Sequence, residues 1–225
     1  MNTLEIYWQN PETRERSLVG FLEDNENEYI FKYSQNVIQG KVTGFKPIYP
    51  FLNYEKEYRS MSMFSNFLNR IPSPKRNDIN DILKKYGLEE YDEFNLLVKS
   101  GGRTPADNLE FISPIDTTAN KIIRSFYIAG VSHGEFCLGQ CDDSCLSEVT
   151  DYEIKLCKEP DNIHDQYAIK LLVEGKKIGY IPKYYSKSVT ELINNNYKIN
   201  IFIENINNDE KNCRECVKVI LKAEK

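Results

Sequence analysis

The side chains best suited to chemistry lie in the second half of this sequence. Its only two histidines are His133 and His164. His164 and Asp165 follow the segment Glu159-Pro160-Asp161-Asn162, which is turn chemistry: proline fixes φ, and Asp and Asn side chains bond back to nearby backbone amides. An imidazole offers a flat ring for stacking and, when protonated, attracts phosphate. A carboxylate accepts a hydrogen bond from a hydroxyl and repels a phosphate at the same place. The plainer alternative is that His164 is a solvated turn residue and Asp165 only caps the turn. Lys176, Lys177, Lys183 and Lys187 lie close together just downstream, with Tyr180 among them. They are candidate phosphate contacts, or simply a solvated charged face.

Six cysteines make a second constellation. Cys137, Cys141 and Cys145 recur every four residues, Cys157 stands alone, and Cys213 and Cys216 form a CxxC. A tetrahedral Cys₄ zinc site needs four thiolates, and Cys141, Cys145, Cys213 and Cys216 are the candidates. Free, reduced cysteines are the alternative, because a cytosolic chain does not keep a disulfide framework. Cys157 is expected to face a strand interior.

The elements that must position these groups read as follows. Residues 168–173 are short, apolar and β-branched, hence a strand. Glu174-Gly175 supplies a two-residue reversal, and 176–181 returns until Pro182 stops it. A helix over 183–194 carries Val189, Leu192 and Ile193 at helical spacing, and strands follow at 197–204 and 217–221. Upstream, 127–131 and 152–156 read as further strands. In the first half, strands are expected at 4–8, 18–22, 28–33 and 109–112. Helices are expected at 75–86, closed by Gly87, and at 92–100, closed by Gly101-Gly102. Gly101-Gly102-Arg103-Thr104 is therefore a helix end rather than a phosphate loop, which would need a different glycine spacing and a following Lys-Ser/Thr.

Length and charge bound the function. The 225 residues, 40% of them hydrophobic, suffice for two small cores. A net charge of −5 has the wrong sign for a dedicated duplex binder. From Ser125 onward there are 13 lysines and arginines against 16 aspartates and glutamates, so binding to a polyanion would rest on the local lysine cluster. No apolar run approaches 20 residues and no secretion signal opens the chain, so a cytoplasmic protein without a membrane span is expected. No HExxH, GxSxG, nucleotide-binding loop or spaced carboxylate dyad is present; Asp142-Asp143 are adjacent and diverge on an extended chain. A non-enzymatic protein is the reading.

The ordered wording of 159–182, EPDNIHDQYAIKLLVEGKKIGYIP, resembles the HIRAN domain, and the resemblance runs over about 126–219. It implies a small OB-like β-barrel with one short helix that holds single-stranded DNA or a DNA 3′ end. The terminal base would lie between two aromatic positions, here His164 and His133. The 3′-hydroxyl would meet Asp165, beside the turn residue Asn162. Tyr180 and the four lysines complete the expected nucleic-acid-binding set.

The first half resembles the N-terminal subdomain of HipA-type toxin kinases. Phe67-Leu68-Asn69-Arg70-Ile71-Pro72, Tyr86-Gly87-Leu88, 96–103 and Leu109-Glu110-Phe111 carry that likeness. With no kinase core following, it implies a docking piece for a protein partner. The expected architecture is α+β throughout: an α+β domain over 1–115, a polar linker over 116–124 and a barrel over 125–225. The alternative function is an antitoxin-like or phage–host conflict regulator that acts by protein contact alone.

Overall fold

The computed structural model describes residues 2–25, 27–104, 106–131, 153–206 and 216–225. It divides into two compact units, 1–114 and 115–225. Both mix strands with a few short helices, and strands predominate.

The first unit is built on an antiparallel sheet of order β4-β3-β2-β1-β5, with β1 Asn2–Gln9, β2 Arg16–Asp24, β3 Tyr29–Tyr33, β4 Tyr58–Ser60 and β5 Leu109–Ile112. Alternation creates its inner face: Leu4 and Ile6 are fully buried, while their neighbours Thr3, Glu5 and Tyr7 are only partly so. Four helices accompany it: α1 Gln35–Ile38, α2 Ser65–Leu68, α3 Ile79–Tyr86 and α4 Glu93–Ser100. Their apolar residues meet the sheet around Phe31, whose ring lies 4.5 Å from Phe51, 4.8 Å from Tyr33 and 5.5 Å from Phe67. Tyr33 ties the 48–51 segment to this cluster: its hydroxyl donates to the Phe51 carbonyl (2.7 Å) and accepts from the Ile48 amide (2.7 Å).

One expectation changes here. Helix α3 starts at Ile79 rather than 75, because Ser73 captures the chain in a turn: the Lys75 amide donates to its hydroxyl (3.3 Å) and the Arg76 amide to its carbonyl (3.2 Å). Helix α4 begins as read, with Asp92 accepting from the Asn95 amide (2.6 Å), and ends at a left-handed Gly101.

The second unit holds two three-stranded antiparallel sheets. One has the order β10-β11-β6, with β6 Lys121–Tyr127, β10 Lys198–Ile206 and β11 Val217–Glu224; the other is β7-β8-β9, with β7 Lys155–Lys158, β8 Ile169–Val173 and β9 Lys176–Tyr180. Strand β6 begins inside the segment read as linker. Its partner β11 recruits it, pairing Lys121 with Glu224 through to Tyr127 with Lys218. The two sheets meet where Ala129 and Tyr180 exchange backbone hydrogen bonds of 2.9 and 2.8 Å. Gly179 permits that approach, since a Cβ there would stand 2.7 Å from the Ala129 carbonyl oxygen. The β8–β9 reversal has positive φ at both Glu174 (49°) and Gly175 (81°), the tight hairpin turn anticipated.

Helix α5, Lys183–Asn194, buries Tyr185, Ser186, Val189 and Leu192. Cys157 is a correction: it is exposed. Pairing of Leu156 with the fully buried Leu171 fixes the inward face of β7, and the two-residue period turns Cys157 to the opposite face beside Lys170. No helix among the described residues is long and apolar enough to cross a membrane.

Candidate functional site

The turn 159–165 and the start of α5 frame a cleft of about 450 Å³. Asn162, Ile163, His164, Asp165, Gln166 and Tyr167 line one side, and Lys183, Ser186 and Lys187 the other.

Asn162 organises the turn. Its Oδ1 accepts from the His164 amide (2.9 Å) and the Asp165 amide (3.2 Å), and its Nδ2 donates to Glu159 Oε2 (2.7 Å). Glu159 is held in turn by Lys170, whose Nζ lies 2.7 Å from Oε1. Those bonds, Lys170 first and Asn162 next, lower the Glu159 carboxyl below its ordinary value, and Glu159 raises the Lys170 ammonium. The Asn162 amide is therefore committed to positioning its neighbours.

Asp165 closes the turn through Oδ1, which accepts from the Tyr167 amide (2.9 Å), and through its carbonyl, which accepts from Ala168 (2.9 Å). Its second carboxylate oxygen has no partner among the described residues. His164 is exposed, and Ile163 beside it is 91% exposed, an apolar side chain at the rim with little protein around it. Lys183 and Lys187 are one helical turn apart and share a face. The cleft thus combines a carboxylate, an imidazole and two ammonium groups: a hydrogen-bond acceptor, a flat ring and positive charge in one lining.

Of the residues singled out in the sequence, Asn162, His164, Asp165, Lys183 and Lys187 come together here. Lys176, Lys177 and Tyr180 lie on β9 outside this lining. Lys177 Nζ sits 5.2 Å above the Tyr180 ring, and Tyr180 carries the backbone bridge to Ala129. His133, Cys141, Cys145 and Cys213 fall outside the described residues. Cys216 is buried at the entry to β11, and no group of three or more metal-ligating side chains occurs among the described residues. Sequence reasoning missed Ile163, Gln166, Tyr167 and Ser186. The signal for Ser186 was available, since it sits three residues after Lys183 on the same helix.

A family model described as the HIRAN domain matches residues 147–223, the stretch that holds the whole cleft. The likeness read from the turn and hairpin wording is borne out over that stretch. Among solved structures, the chain is similar to the crystal structure of the HIRAN domain of human HLTF, at 12% identity and a TM-score of 0.34, over 46% of this chain and 78% of that one. No curated protein matches the chain. The family match lies within the second unit, and the HipA likeness of the first unit finds no support in these comparisons.

Proposed function

We propose that the second unit binds single-stranded DNA at a 3′ end and that the chain carries out no chemistry on it. One observation carries the reading: the HIRAN-matched segment brings an acceptor carboxylate, Asp165, into one cleft with an exposed imidazole and two lysines. A strand end differs from an interior nucleotide by its free hydroxyl. Asp165, with one oxygen committed to the turn, offers the other to that hydroxyl and repels a phosphate there. His164 presents a ring on which the terminal base stacks, and Lys183 and Lys187 lie where the incoming phosphates pass. The Ala129–Tyr180 bridge supports an OB-like arrangement in which the two sheets close on one another.

The test compares single strands ending in 3′-hydroxyl and in 3′-phosphate by electrophoretic shift or fluorescence anisotropy across a salt series. Preference for the hydroxyl end, with affinity falling as salt rises, supports the proposal. No measurable binding of either strand at low salt removes it, and leaves action through protein contacts as the function.

A further inference from the structure

A second cavity lies in the first unit, outside the HIRAN-matched segment, and it is built in a way the proposed function does not use. Its volume is about 740 Å³, within the ~300–1,000 Å³ of small-molecule sites. Three aromatic side chains line it: Trp8, Phe45 and Tyr49. Trp8 and Phe45 meet edge to face at 5.5 Å, and the Tyr49 ring is 78% exposed.

The polar part of the lining is partly unsatisfied. The Arg70 side chain is only 6% exposed and lines the cavity. Its two terminal nitrogens are committed, to both Asp107 carboxylate oxygens and to the Gly102 carbonyl (3.1 Å), while its Nε is buried with no partner. Asn66 donates through Nδ2 to the Tyr49 carbonyl (3.2 Å), and its Oδ1 is buried without a partner. Buried polar groups are ordinarily satisfied, so two orphaned atoms on residues of one cavity lining mark a place where a ligand would complete the bonding once those side chains turn toward it. Asn69 adds a second, exposed amide.

Charge narrows the ligand class. Asp107 cancels the Arg70 guanidinium, so the wall is not an anion hole. The one remaining cation in the lining is Lys46, which is exposed and has no ion pair among the described residues. Flat rings for stacking, amides that both donate and accept, and one lysine together suit a planar heterocycle carrying one phosphate. We infer that this cavity binds a nucleoside monophosphate unit through its base, with Lys46 on the phosphate, either as a free nucleotide or as one residue of a single strand.

Trp8 is the sole tryptophan of the chain, so its emission reports on this cavity alone. The full chain is titrated with deoxynucleoside monophosphates, with the corresponding nucleosides, with inorganic phosphate and with a short single-stranded oligonucleotide. The expected result is a saturable change in Trp8 emission with the monophosphates. Tyr49→Ala, a truncation at an exposed ring, weakens it about tenfold while the melting temperature holds. Lys46→Ala weakens the monophosphate and leaves the nucleoside unchanged. Saturation by the oligonucleotide alone assigns the site to a strand; saturation by the mononucleotide assigns it to a free nucleotide. Asp165→Ala leaves the mononucleotide titration untouched, which separates this site from the cleft of the second unit. No saturable response to any nucleotide up to millimolar concentration, or an equal response to inorganic phosphate, overturns the inference.

Discussion

Replacing Asn162 with alanine tests whether one side chain organises the cleft. The change removes both bonds that Oδ1 accepts, leaving the His164 and Asp165 amides to water or to nothing. Each such bond contributes about 0.5–1.5 kcal/mol net, so their combined loss at a half-exposed turn costs about 1–2 kcal/mol. The bond to Glu159 is left out of that figure, because this carboxylate is partly exposed and solvent screens it. For a unit of this size the loss corresponds to a drop in melting temperature of roughly 4–10 °C. The drop belongs to the second unit only. Far-UV dichroism should show it, while the thermal transition of Trp8 emission, which follows the first unit, stays in place. Discrimination between 3′-hydroxyl and 3′-phosphate strands should fall with it, since Asp165 loses its fixed backbone. Asn162→Asp keeps both accepted bonds but sets a carboxylate against Glu159 in place of a donor. It should fall between parent and alanine variant in stability and retain more of the discrimination. An alanine variant that melts with the parent and discriminates equally would refute the assignment of the turn to Asn162.

Asp165→Ala should abolish the preference for a 3′-hydroxyl in a paired-strand competition, whereas Lys183→Ala should weaken both ends and flatten the salt slope by about one phosphate contact. Gly179→Ala should destabilise the second unit by about 1–3 kcal/mol in denaturant unfolding, because its Cβ would press on the Ala129 carbonyl and on Ile128. An alkaline titration should single out the first unit. Burial raises the Tyr33 phenol and pushes Tyr29 up to about 12. A raised folded-state value leaves stability intact below the ordinary tyrosine range near 10 and removes it as pH climbs toward the folded values, so the Trp8 transition should fall steeply above about pH 10. Tyr33→Phe should start lower, having lost two hydrogen bonds, and fall less steeply; an unchanged slope rejects the burial argument.

What could be read in the sequence was local. Glu174-Gly175 has few other uses between two apolar runs, and 183–194 has both a proline stop before it and helical spacing within it; both elements formed where expected. The cleft was legible for the same reason, since its two walls are a turn and a helix start separated by fewer than twenty residues. Features decided by distant partners were not legible. Lys121 to Arg124 looks like linker beside Thr117-Thr118-Ala119-Asn120, and only β11, almost a hundred residues on, makes it a strand. Cys157 was misplaced because the inward face of β7 is chosen by Leu171 across the sheet. The cavity of the first unit gathers Trp8, Lys46, Arg70 and Asp107 from four separate stretches, with no motif to announce it.

Each unit is closed by its own last strand. In the first, β5 pairs with β1; in the second, β11 lies between β10 and β6. During synthesis neither sheet is complete until the final stretch of its unit has left the ribosome, and the second unit must wait for residues 217–224. Until then β6 and β10 both present open hydrogen-bonding edges to the same missing strand. A nascent or truncated chain ending near residue 216 would therefore hold a vacancy that any extended peptide, including the β11 of another copy, is shaped to fill.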